Sequence, residues 1–70
     1  MMEIIITTEY ITLGQFLKLA ELIQSGGQAK HFIQSNEIFV NDEKESRRGK
    51  KLYNNDKINI IGVGNFYIRK

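Results

Sequence analysis

The spacing of apolar residues along this chain changes period several times, and each change marks an element. Ile4-Ile5-Ile6-Thr7-Thr8 is a short β-branched run behind Glu3 and predicts a strand. From Leu13 the spacing lengthens: Leu13, Phe16, Leu17 and Ala20 recur at helical intervals and form one stripe. Thr12 opens that helix, because its hydroxyl and the Gln15 side chain sit at the spacing of a capping box. Leu19, Leu22 and Ile23 carry apolar content into the next turn. A second capping box, Ser25-Gly26-Gly27-Gln28, opens a short helix whose Ala29, Phe32 and Ile33 share a face. At 100° per residue, Lys30, His31 and Gln34 fall on the opposite face, with Gly27 beside them. Asn36 suits the left-handed position that ends such a helix.

The second half alternates with a period near two. Glu37–Asn41 predicts a strand closed by the turn pair Asn41-Asp42. Glu43–Leu52 is polar and predicts a frayed or bulged strand carrying a basic loop. Asn54-Asn55-Asp56 turns the chain into a strand over Lys57–Ile61, and Gly62-Val63-Gly64-Asn65 turns it again into Phe66-Tyr67-Ile68. The expected order is β-α-α-β-β-β-β. It describes an α+β fold with two short helices packed on a small, bent antiparallel sheet and an extra N-terminal strand.

Seventy residues allow one domain, taken here as residues 1–70. A chain of this size buries only about 60% of its unfolded surface. It has no cysteine, so apolar packing must supply its stability. No apolar run approaches the roughly 18 residues of a membrane span, and Glu3 stands where a signal peptide needs a basic start. A cytoplasmic location and no membrane association are the expectation.

Charge changes the picture more. Net charge is +2, but residues 1–29 set Lys18 against Glu3, Glu9 and Glu21, a net −2. Residues 30–70 set nine basic groups against Glu37, Asp42, Glu43, Glu45 and Asp56, a net +4. Gathered on one face, those groups form a polyanion footprint; scattered, they are a solubilising surface. The densest run is Arg47-Arg48-Gly49-Lys50-Lys51, in which arginine forks match phosphate oxygens and Gly49 admits close approach. Glu43 and Glu45 stand close enough in sequence to neutralise it. Gly26-Gly27 offers free amides to an anion, which makes Gly27 a candidate phosphate contact alongside its reading as a tight turn. A lone His31 without cysteine makes no metal site, and no nucleophile–base–acid set accompanies it. No catalytic residue, cofactor or small-molecule substrate is therefore expected. Tyr10, Tyr53, Phe66 and Tyr67 have rings that can stack on unpaired bases; Phe39 and Phe66 are assigned to the core.

The stretch S-G-G-Q-A-K-H-F-I-Q-S-N-E-I-F-V-N, Ser25 to Asn41, resembles the heart of the S-four-type RNA-binding domain, or alpha-L motif. Ala29, Phe32, Ile33, Ile38, Val40 and Asn41 stand at its pattern positions, and Thr12–Leu17 and Asn55–Ile58 resemble its first helix and its entry to the last strand. The likeness runs from Thr12 to Ile60, and the size and extra strand resemble stand-alone YaaA-like members. Family members usually have Arg-Leu-Asp where this chain has Thr12-Leu13-Gly14, Ser-Arg in place of Ser25-Gly26, and a turn glycine in place of Asp42. Two common phosphate-contacting arginines are thus absent.

The resemblance implies an L-shaped surface of two helices and a strand that grips structured RNA, of the ribosomal or transfer class. Matching positions are Lys18, Lys30, His31 and Gln34, to which the basic run adds Arg47, Arg48, Lys50 and Lys51. Without it, the same residues read as a solvated helix face and loop. The expected function is a non-catalytic RNA-binding module. The alternative, motivated by the missing arginines, is a protein-interaction adaptor with a protein partner. Exposed Val63 or Tyr67 on the sheet would favour the adaptor.

Overall fold

The computed structural model describes residues 2–70. Over these residues the chain forms β1 (Met2–Ile5), β2 (Tyr10–Thr12), α1 (Leu13–Leu19) and a 3-10 turn (Gly26–Gln28). There follow α2 (Ala29–Ser35), β3 (Ile38–Val40), β4 (Glu43–Lys44), β5 (Lys51–Tyr53), β6 (Lys57–Ile60) and β7 (Gly64–Arg69). The main sheet has the order β1-β7-β6-β3-β4, and β2 pairs with β5 in a separate ribbon. Within the sheet the pairs β3–β4, β3–β6 and β6–β7 are antiparallel, while β1 lies parallel to β7 at the edge, Ile4 opposite Ile68. The sheet is therefore mixed, because most of the chain intervenes between β1 and β7 and acts as the crossover.

One face of the sheet carries Ile4, Ile38, Val40, Ile58, Ile60, Phe66 and Ile68 into the core. Against it pack Leu13, Phe16 and Leu17 of α1, Ala29 and Ile33 of α2, and Ile11 and Leu52 of the ribbon. Phe16 meets Phe66 edge to face at 5.3 Å, which fastens α1 to the sheet. Burial of each large side chain contributes about 1.5–3 kcal/mol, so this cluster supplies the main stabilising term. Phe39 departs from its expected core position. Strand alternation turns it to the opposite face, where it is half-buried across from Asn59.

Both capping signals are realised. The Thr12 amide donates to Gln15 Oε1 at 2.8 Å and the Gln15 amide to Thr12 Oγ1 at 3.3 Å. Gln28 Oε1 accepts from the amides of Gln24 and Ser25 at 2.6 and 3.2 Å. Asn36 does not take up the left-handed conformation expected of it; its φ is −134°, and its side-chain amide donates to the Phe32 carbonyl instead. The left-handed helix end belongs to α1. There Glu21, at φ 61°, donates to the Lys18 carbonyl while Leu22 donates to that of Leu17, a Schellman arrangement. A side chain with a Cβ is strained at this position. Glu21→Gly is expected to raise stability by about 0.5–1 kcal/mol, a few degrees in a thermal melt.

The Asn41-Asp42 turn is a two-residue hairpin with both φ values positive, 51° and 71°. Asn41 also joins two distant parts of the chain: its side chain donates to Asp56 Oδ1 and accepts from the Lys57 amide, both at 3.0 Å. Asp56 Oδ2 accepts from the Tyr53 amide at 2.7 Å. These bonds give the Val-Asn and Asn-Asp segments of the sequence a structural role.

Candidate nucleic-acid interface

The position of the basic run follows from how α1 begins. A helix leaves its first amides without intrahelical partners. Here the Leu13 amide donates to the Lys50 carbonyl at 2.8 Å and the Gly14 amide to the Arg48 carbonyl at 2.9 Å. The basic segment thus caps α1 with its own backbone. Pairing of β2 with β5, Thr12 opposite Lys51, holds it in that register. The expected frayed strand over Glu43–Leu52 is in fact split: β4 stays in the main sheet, β5 joins the ribbon, and the residues between cross to the helices.

Gly14 marks the junction. A Cβ built there would lie 3.6 Å from Ala29 Cβ and 3.6 Å from the Arg48 carbonyl oxygen. The start of α1, the start of α2 and the basic loop therefore meet at one point. A methyl group fits this space, whereas a larger side chain would push α2 away from the loop.

Lys30, Ile33 and Gln34 of α2 line one hollow together with Ser46 and Arg48. A second hollow is lined by Arg47, Gly49, Lys50, Lys51 and Tyr53. His31 and Gly27 are not part of either; they line a groove with Glu21, Gln28, Phe32 and Asn36. One residue along a helix turns about 100°, which is enough to send Lys30 and His31 into different depressions on a seven-residue helix. Lys18 lies on another flank, with Ile11, Gln15 and Leu19.

Ion pairing sorts the cations further. Lys44 pairs with Glu37 at 3.5 Å, Lys57 with Asp42 at 3.0 Å and Arg69 with Glu3 at 3.0 Å. Arg47 pairs with Glu45 through two bonds, Nε to Oε2 at 2.9 Å and Nη2 to Oε1 at 3.1 Å. Among the described residues Lys18, Lys30, Arg48, Lys50, Lys51 and Lys70 have no such acidic partner. Ion pairs thus engage the cations of β4, β6 and β7, while five of the six unpaired cations lie on the helices or in the basic run. Neutralisation of the basic run by Glu45 is real but reaches Arg47 alone.

Glu45 also organises the loop. Its side chain is about 10% exposed, while that of Arg47 is 73% exposed. Its Oε2 accepts from the Ser46 and Arg47 amides as well as from the guanidinium. The Arg47 guanidinium and these amides hold the Glu45 carboxyl down at about 2, against a desolvation that opposes them. Lys51 Nζ stands 4.8 Å over the Tyr10 ring, and Tyr10 lies 5.7 Å from Tyr53. Ser46 and the Tyr10–Tyr53 contact carry no sequence signal, because both arise from the crossing of the loop and the ribbon register.

The family model of the S4 domain matches residues 4–69. This chain belongs to the S4 domain family. A protein of Bacillus subtilis (strain 168) named "Probable ribosome maturation protein RlbA" is 59% identical over 63 residues, covering 90% of this chain and 89% of that protein. In this S4 domain the motif residues Ala29, Ile33, Ile38 and Val40 are all buried, and Asn41 is engaged with Asp56 and Lys57. They belong to the core and to the turn contacts that hold the fold. Gly14 and Gly26 stand where the resemblance leads one to expect charged residues, and the Arg48 carbonyl and Cβ lie beside Gly14.

Proposed function

We propose that this S4 domain is a non-catalytic module that grips structured RNA, ribosomal or transfer, by phosphate and shape contacts, within ribosome maturation. The observation that carries the reading is the hollow in which Lys30 and Gln34 from α2 meet Arg48 from the capping loop, with no acid paired to either cation. Lysine and arginine there displace counterions from phosphates, and the Gln34 amide suits a phosphate or 2′-hydroxyl oxygen. Lys50 and Lys51 extend the surface on one side, with the solvent-facing edge of Arg47. Lys18 on one flank, and Gly27 with His31 on another, are the outer limits of the footprint. The ribosomal context rests on the name of the Bacillus subtilis relative.

The experiment is binding of a ribosomal RNA hairpin, a transfer RNA and a DNA duplex across a potassium chloride series. Four or five engaged cations predict that log K falls with log salt at a slope of about −3.5 to −4.5 for the RNAs. Negligible binding, flat in salt, would overturn the reading. It would favour the protein adaptor, for which exposed Ile61 and Val63 at the β6–β7 turn are the contact to test.

A further inference from the structure

We infer that the hollow between Tyr53 and the Arg47–Lys51 segment is a subsite for one unpaired nucleotide at the end of a folded RNA, its base stacked on Tyr53 and its phosphate held by Lys50 and Lys51. The inference rests on the RNA reading above and adds a base-stacking contact to a surface otherwise built for phosphates.

Three observations carry it. Tyr53 is 44% exposed, on the opposite face of its strand from buried Leu52, and it lines the hollow together with Lys50 and Lys51. Its ring is 5.7 Å from that of Tyr10 and inclined to it at 47°, a tilted contact and not a parallel stack. The Lys51 ammonium over Tyr10 keeps a cation at the rim. An aromatic ring with cations at its edge binds a nucleotide whatever its base, because every base offers a π-face.

The second observation is rigidity. The Tyr53 amide donates to Asp56 Oδ2 at 2.7 Å, and the Asp56 amide returns a bond to the Tyr53 carbonyl at 3.0 Å. Asp56 is itself held by Asn41. The backbone that carries the ring is therefore held before any ligand arrives, which lowers the ordering cost of binding.

The third is Gly49. It is not among the glycines with positive φ, and a Cβ built on it meets nothing within 4 Å. Neither the backbone nor the packing of the protein calls for glycine there. A methyl group would point into open space beside the hollow, so nothing of the protein obstructs the approach of a ligand there.

The test compares a blunt RNA hairpin with the same hairpin carrying three unpaired adenosines at its 3′ or 5′ end, the first replaced by 2-aminopurine. The native protein is expected to bind one extended hairpin about tenfold tighter than the blunt one and to quench the 2-aminopurine. Tyr53→Ala abolishes that difference and the quenching but keeps the blunt-hairpin affinity. Tyr53→Phe keeps both. Gly49→Ala reduces the advantage of the extension while its melting temperature stays level or rises. The inference fails, with RNA binding intact, if neither extension adds affinity or if Tyr53→Ala weakens blunt and extended hairpins alike. If neither hairpin binds at all, the RNA reading fails and the subsite with it.

Discussion

Replacing Lys30 and Arg48 together by alanine is expected to lower affinity for structured RNA about a hundredfold at moderate salt. A hydrogen bond to a charged group contributes about 1.5–3 kcal/mol, and these two cations carry no acid that would already have spent their charge. Each phosphate contact removed should also flatten the salt dependence by about 0.9, so the double variant loses close to two units of slope. Arg48→Lys is expected to fall between, since an ammonium keeps the charge but not the two-pronged geometry. The control is Lys44→Ala, which removes a cation already paired with Glu37 on β4. It should change affinity less than twofold. Equal losses from Lys44→Ala and Arg48→Ala would mean that the protein attracts RNA by overall charge, and the hollow between α2 and the loop would have no special role.

The second large effect concerns Glu45. With its carboxyl at about 2 in the folded protein against an ordinary 4.5, the folded state favours the ionised form. The stabilisation is fully present above about pH 4.5 and is lost as pH falls from there toward 2. The shift corresponds to roughly 3 kcal/mol at full weight; discounted for the water-exposed guanidinium of Arg47, about 2 kcal/mol remains. In a small domain with a total of about 5 kcal/mol, that is a large share. Urea denaturation of native protein and Glu45→Ala between pH 2.5 and 7 measures it. The native protein should lose stability through the acid window, and the variant should start lower and show a flatter profile there.

The same substitution separates charge from geometry in RNA binding. Glu45→Ala raises the net charge by one and frees Arg47, so attraction by charge alone predicts tighter binding. It also removes the acceptor that holds the Ser46 and Arg47 amides and the guanidinium. Loss of that order is expected to weaken binding, because the cations must then be positioned at the moment of association. Tighter binding by Glu45→Ala at pH 7 would overturn the view of Glu45 as the residue that shapes the interface.

Elements with a strong local cause are legible in the amino-acid sequence. Thr12 and Gln15 announce a helix start because their bonds span three residues and need no tertiary partner. Asn41-Asp42 announces a hairpin because left-handed φ values select such residues. The apolar stripes of α1 and α2 announce their buried faces, apart from the partial exposure of Ala20 and Phe32. Elements that the sequence hides have causes distant along the chain. Tyr10–Thr12 is too short to read as a strand and exists only because Lys51–Tyr53 lies beside it. Phe39 reads as core by composition and is turned away by the alternation that buries Ile38 and Val40.

For the candidate interface, local chemistry in the chain determined which residues are able to meet a polyanion: Lys18, Lys30, His31, Gln34 and the Arg47–Lys51 run are polar or cationic and largely exposed. Which of them come together was decided by tertiary structure. Hydrogen bonds from the Leu13 and Gly14 amides pull the basic loop onto α1, and the small side at Gly14 lets Ala29 and Arg48 approach. Helical rotation then places Lys30 and Gln34 toward that loop and His31 toward another groove. The physical reason is range. Caps, turns and amphipathic stripes are set by neighbours a few residues apart, whereas the convergence of cations depends on backbone partners more than thirty residues apart, which exist only once the core has closed.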